Sequence, residues 1–160
     1  MAQTGFVLSD EGRTITILND SGTTAIEAGD IVFSIANVDQ FSDTVAAVRN
    51  SYAASDIKGK SMTDSASGYQ TVLGIAQEDI PADGYGSIAL EGVFMHAAQA
   101  AIVAGDMVRG SAAANNKLVA VATGTATYAA AIVNNITYKC GKALTGASAD
   151  TKYIAWKLSL

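Results

Sequence analysis

The 160 residues include one cysteine, one proline, one histidine and one tryptophan. A lone thiol, Cys140, closes no internal disulfide, so stability must come from packing or from association with other chains. A transition-metal site built from several His or Cys side chains has no donor set, and no acid-rich loop follows the spacing of a calcium-binding hand. A thiol nucleophile activated by imidazole would need both His96 and Cys140, and neither stands in a local signature. The expected role for Cys140 is that of a small buried hydrophobe.

Charge is also scarce. Only 16 % of residues are charged, below the usual quarter, and the net charge is −5 with a pI near 4.6. An acidic chain of this kind repels nucleic-acid phosphates, which excludes the nucleic-acid-binding class. Low charge beside abundant Ala, Thr, Ser and Gly suggests that much of the surface is covered by neighbouring molecules, and so predicts a homo-oligomer. Long apolar runs are missing despite a mean hydropathy of +0.25: Gln99, Gly105 with Asp106, and Gly124 interrupt the candidates, and no membrane span fits. The start, "MAQTGFVLSDEG", carries neither a basic segment nor an apolar run of signal-peptide length, so synthesis and folding in a cytoplasm are the expectation.

What the chain does have is a phrase written twice. "AIEAGDIVF" at 25–33 returns as "AIVAGDMVR" at 101–109. In each copy Ala-Gly-Asp reads as a turn, the glycine free to take positive φ and the aspartate able to bond nearby amides, with a strand beginning directly after it. "RTITIL" alternates β-branched residues as a strand does. "TVLGIAQ" (71–77) and "TYAAAIV" (127–133) are candidate strands in corresponding places, "SIALEGVFM" (87–95) reads as one strand, and "TKYIAWKLSL" closes the chain. The fold predicted is mainly β: a compact barrel, β-tulip or sandwich built from two similar strand modules, about 13–86 and 87–160, after an extended arm at 1–12. A long loop at about 37–70 separates strands of the first module, with one short helix from Ser42 through Tyr52.

The chemistry-bearing patterns are thin. Gly59-Lys60-Ser61 is the tail of a phosphate-binding loop without its head, since position 54 is alanine, and it reads as a surface loop. The adjacent acids Asp10-Glu11 and Glu78-Asp79 point to opposite faces if they lie in strands, poor geometry for paired acid and base work, and read as turn residues. No catalytic residue, cofactor or metal is expected, and the chain reads as a non-enzyme. In the C-terminal segment Lys139, Lys142, Lys152 and Lys157 face only Asp150, a candidate contact for an acidic partner. Trp156, Tyr153 and Tyr128 offer an alternative reading as sugar platforms of a carbohydrate- or receptor-binding module, with core packing the competing role for Trp156.

At "VLGIAQEDIPADGYGSIALEGVFMHAAQAAIVAGDMVRG", residues 72–110, the chain resembles the small capsid decoration proteins of tailed bacteriophages, also called cement or head-stabilising proteins. The shared cadence is a "GIA" strand, a Gly-containing turn, a strand ending like "ALEGVF", an Ala-rich linker and an "AGD" turn opening the next strand. The resemblance covers about a quarter of the chain through short elements. It implies a barrel-like or tulip-like β fold and homotrimers on the exterior of a DNA-filled head. There the copies would bind the major capsid protein and cement neighbouring subunits against internal pressure. On this reading Phe6, Val7 and Leu8 anchor the arm on a capsid subunit or a neighbouring protomer.

Overall fold

The computed structural model describes residues 5–10, 12–34, 57–61, 71–111, 116–121 and 139–159. Among them are eleven strands and no helix. β1 (Gly5–Asp10) is followed by a first group, β2 (Thr14–Asn19), β3 (Ile31–Ser34), β4 (Lys58–Ser61), β5 (Val72–Ala76) and β6 (Tyr85–Ala89). A second group comprises β7 (Glu91–Ala98), β8 (Met107–Gly110), β9 (Lys117–Ala120), β10 (Gly141–Ala143) and β11 (Tyr153–Ser159).

Each group closes into a five-stranded barrel, and the two closures are the same. The first runs β2-β4-β3-β5-β6 and back to β2; the second runs β7-β9-β8-β10-β11 and back to β7, with β1 added along β7. In each, one pair is parallel, β2 with β4 and β7 with β9, and the others are antiparallel. The doubled phrase sits at the same place in both. Gly29 and Gly105 take φ of 89° and 99°. Asp30 accepts a hydrogen bond from the Glu27 amide at 3.0 Å, and Asp106 accepts one from the Val103 amide at 2.9 Å. The Gly29 amide donates to Ala76 O, the Gly105 amide to Ala143 O, each at 2.8 Å. The turn chemistry read from Ala-Gly-Asp is therefore what opens β3 and β8.

Gly74 and Gly141 are a second matched pair. A Cβ on Gly74 would lie 2.3 Å from Ala89 O, and one on Gly141 would lie 2.1 Å from Lys157 O. Side-chain-free positions let β5 and β10 press against the next strand at the tight curvature a five-stranded barrel demands.

Several boundaries differ from the sequence reading. "SIALEGVFM" is two strands, β6 and β7, of different barrels. The chain turns at Leu90, and Gly92 at φ 145° bends the start of β7. "FMHAA" continues β7 because Phe94, His96 and Ala98 alternate inward. "KGKS" is β4, inside the stretch read as a loop. Gly59 and Ser61 point inward while the two lysines stay at the surface, and a Cβ on Gly59 would collide with Val32 and Ile17 at 2.7 and 2.9 Å. The place of β5 in the second module is taken by β10 rather than by "TYAAAIV", which lies outside the described residues, as does the predicted helix at Ser42–Tyr52.

Two cores result. The interior of the first barrel is Ile17, Ile26, Val32, Ala76, Ile80 and Ile88. The larger core fills the second barrel around Phe94, Leu118, Ile154, Trp156 and Leu158, and it also takes in Ile31, Phe33, Val72, Ile75 and Ala89 from outside the first barrel's wall. The barrels are thus joined through one outer face of the first. At about 25 cal/mol per Å² of apolar surface removed from water, such a contact joins the two barrels firmly rather than leaving them as beads on a string.

Candidate functional site

The junction between the barrels holds most of the buried polar chemistry. Asp30, 1 % exposed, accepts hydrogen bonds from Ser61 Oγ at 2.6 Å and Asn116 Nδ2 at 3.0 Å. The Ile31 amide donates to Asn116 Oδ1 at 2.9 Å, so one asparagine of the second barrel holds both the Asp30 side chain and the adjacent Ile31 amide, where the first barrel's turn runs into β3. Asn116 pays for this position with a φ of 52°, a conformation asparagine tolerates better than most residues. His96, fully buried, sits between Gly29 O, 2.9 Å from Nε2, and the Trp156 indole, whose Nε1–H donates to Nδ1 at 3.0 Å. Those partners require the proton on Nε2 and a neutral ring, and burial lowers the pKa to about 4, with the Gly29 carbonyl acting the other way.

Cys140 is buried, its Sγ 3.5 Å from Val108 O, and burial pushes the thiol up to about 12. It is packed as a small hydrophobe and holds its proton throughout the physiological range. Glu78 and Asp79 secure turns: Glu78 accepts from the Ser87 amide at 2.9 Å and Asp79 from the Ala28 amide at 2.8 Å.

On the outside of the second barrel is a groove of about 410 Å³ where β8, β10 and β11 lie side by side. Met107 and Leu144, 45 % and 48 % exposed, give it apolar surface, and Lys139, Lys142 and Lys157 give it charge. Among the described residues no carboxylate lines it. Lys142 pairs directly with Lys157 across β10 and β11. Like charges opposite one another on adjacent strands repel.

The structure brings three of the four sequence-predicted lysines together and sets Lys152 apart. It precedes β11, five residues before Lys157, roughly 17 Å along an extended strand. Lys117 is paired with Asp150 at 2.8 Å, and that contact holds the Asp150 carboxyl below its usual range. Phe6, Val7 and Leu8 lie in β1, whose backbone pairs with β7 of the same chain, Phe6 opposite Met95 and Val7 opposite Phe94; the register shifts at Leu8. Trp156 is fully buried and cannot serve as a sugar platform, although Tyr153 is 46 % exposed; Tyr128 lies outside the described residues.

Sequence reasoning missed Asn116 and the junction role of Asp30 and His96. His96 carried a signal, since it shares the inward phase of Phe94 and Ala98. Asn116 carried none, because its partners are 85 and 86 residues away.

No family model matches the chain, and no curated protein matches it. Among solved structures it is similar to the N base of the head fibre gp8.5 of bacteriophage phi29. The identity is 11 % and the TM-score 0.49, over 92 % of this chain and 93 % of that one. At that distance the likeness assigns no role.

Proposed function

We propose that this chain is a structural virion protein that binds the outer surface of a mature phage capsid and cements neighbouring major capsid subunits. The observation that carries the proposal is the employment of its buried reactive groups. Asp30 and His96 are engaged at the junction between the barrels, and Cys140 is packed as a core residue, its Sγ set against Val108 O. What remains for work is binding surface on a rigid pair of barrels, which is what a cement requires. The "GIA", "ALEGVF" and "AGD" cadence supplies the capsid as the surface to be bound.

Charge distribution supports a bridging role. Residues 13–90 contain ten acidic and four basic side chains; residues 91–160 contain three acidic and six basic. A body with an acidic and a basic barrel can contact two differently charged neighbours at once. β1 offers one further contact, as the strand at the end of the six-stranded sheet with a neighbour on one side only among the described residues; strand addition at that edge is the proposed action of the arm. A protein that binds only the mature lattice stabilises that lattice by mass action.

The test mixes purified protein with expanded phage heads lacking it, counts bound copies by cryo-electron microscopy and follows head rupture on heating. Saturable, symmetric occupancy with a raised rupture temperature is expected. Absence of binding to mature heads, or binding with no change in rupture, overturns the cement role.

A further inference from the structure

The matched barrels differ along one seam. In the first, β2 meets β4 only at its end, Leu18 beside Lys58 and Asn19 beside Gly59; in the second, β7 meets β9 only at its end, Ala97 beside Lys117 and Ala98 beside Leu118. The hydrogen bonds fix the equivalence. The Asn19 amide donates to Gly84 O and the Asp20 amide to Gly59 O, as the Ala98 amide donates to Lys152 O and the Gln99 amide to Leu118 O. Residues 13–17 therefore correspond to residues 92–96. The β7 segment is covered, since β1 pairs along it antiparallel from Gly5 opposite His96 to Asp10 opposite Gly92. Along the β2 segment no strand lies among the described residues. Alternation in the ladder shows where its polar groups point. Arg13 O accepts from the Leu90 amide and the Asn19 amide donates to Gly84 O, so the odd residues face β6 and the even residues face the open side. There the Leu18 amide donates to Ile57 O at 2.9 Å, while the N–H and C=O of Thr14 and Thr16, both exposed residues, point outwards with no strand beside them among the described residues.

We infer that this open edge of β2 is the contact through which two copies of the chain pair, β2 against β2, about a two-fold axis at Ile15. Three observations choose that occupant. The first is geometry. The matched edge of β7 takes an antiparallel strand, and β2 of a two-fold copy arrives antiparallel by symmetry. Thr14 then stands opposite Thr16 of the second copy, and because both turn donor and acceptor outwards the copies exchange four backbone hydrogen bonds, flanked by favourable Thr–Thr pairs. The open segment 13–17 is centred on Ile15, and each chain bends at Gly12, φ 80°, before the position opposite Leu18 that the other copy's β4 occupies. The second is strand supply. A neighbour's β1 moved onto β2 would leave its own β7 edge bare, whereas β2 against β2 covers two edges and bares none. The third is the state of the two edges. Strands at a sheet edge are ordinarily blunted by bulges or charge, and β1 has a register shift between Val7 and Ser9. β2 has none from Thr14 to Leu18, its outward residues are neutral threonines, and the adjacent Arg13 is held by Glu91. The contact is isologous and closes at two copies. It concerns the free protein and stands apart from capsid binding.

Sedimentation velocity of the full chain over a wide concentration range reads the association, and mass should rise from one chain to two and stop there. Thr14→Lys with Thr16→Lys, both at exposed positions, sets four lysines along the seam and should weaken pairing by on the order of tenfold or more. Thr16→Pro removes an N–H that no described residue accepts, a change that strand edges tolerate, and should abolish pairing. Urea unfolding shows whether that variant is folded, and the double lysine variant decides the matter if it is not. Thr16→Val should pair as the wild type does, because the backbone makes the contact. For the register, an equal mixture of Thr14→Cys and Thr16→Cys chains in a glutathione redox buffer should link across chains several-fold faster than either alone. The unlike positions face each other, whereas like positions lie on a diagonal of about 7–8 Å, and buried Cys140 stays out of the reaction. A chain that remains monomeric at every concentration overturns the inference. So does an association that the two lysines leave unchanged, or like-with-like linkage as fast as that of the mixture.

Discussion

Acid should loosen this protein through one histidine. His96 titrates at about 4 in the folded chain against an ordinary 6.5. Its folded pKa is depressed, so the unfolded chain binds the proton more readily. The stability due to the neutral ring is fully present above pH 6.5 and is lost as pH falls towards 4. A gap of about 2.5 units corresponds to about 3 kcal/mol, of which about 2 kcal/mol is gone by pH 5. The molecular reason is that both ring nitrogens are committed: Nε2–H donates to Gly29 O, Nδ1 accepts from Trp156, and a second proton would set two donors face to face. Urea unfolding from pH 7.5 to pH 4, followed by Trp156 fluorescence, measures the slope. His96→Gln is the reference, since an amide can accept from the indole and donate to the carbonyl without titrating. Carboxylates contribute equally to both proteins, so the difference between the two curves isolates the imidazole. The wild type should lose on the order of one proton's worth of stability relative to the variant across that window. Parallel curves from pH 7 to pH 4 would refute the assigned burial and tautomer.

Other consequences follow from the duplicated frame. Asp30→Ala should cost about 2–4 kcal/mol by stranding Asn116 and Ser61 in the junction, whereas Asp106→Ala, losing a bond at an exposed turn, should cost about 1 kcal/mol; equal losses in denaturant titrations would contradict the asymmetry. Gly74→Ala and Gly141→Ala should each destabilise by about 1–3 kcal/mol or more, because the intruding methyl meets a backbone oxygen that cannot rotate away, and thermal unfolding would expose a tolerant site as a misreading. Cys140 should react with a thiol reagent at pH 8 only as fast as the barrel opens, accelerating with urea; rapid labelling of the native protein would place the thiol at the surface. Deleting residues 2–9 should lower occupancy on phage heads, and unchanged occupancy would remove β1 from the contact.

The turn and strand elements were legible wherever chemistry is local. Ala-Gly-Asp announced both turns because its roles, positive φ and an aspartate bonding an amide three residues back, involve nothing beyond the tetrapeptide. β2 and β11 were legible from alternation. β4 was not, since "KGKS" has the composition of a loop and becomes a strand only because Val32 and Ile17 need a neighbour without a side chain. β10 was hidden for the opposite reason: three residues give alternation nothing to work with, and its register is set by β8 and β11. The groove was half legible. The lysine excess of the C-terminal segment is visible as composition, but that Lys142 and Lys157 share a row while Lys152 leaves it depends on a pairing across fifteen residues of chain.

The matched topology also shows where the two halves differ and why. Matched outer faces meet different surroundings: one copy of the β3-β5-β6 face is sealed between the barrels, and the other, among the described residues, is left outside. Burial rewards Ile31, Ile75 and Ala89 in the first, each removing apolar surface from water, while exposure penalises the same residues in the second as an aggregation-prone patch. Met107, Lys142 and Lys157 are what that pressure leaves, with charge guarding the exposed β-sheet face. Guarding alone, however, asks for mixed charge, and two lysines placed directly opposite are a poor way to provide it. Replacing Lys142 with Glu should therefore stabilise the isolated chain by a few tenths of a kcal/mol through a cross-strand pair with Lys157, and at the same time weaken whatever the groove binds. A variant that gains stability and keeps every association would show that the row is only a guard.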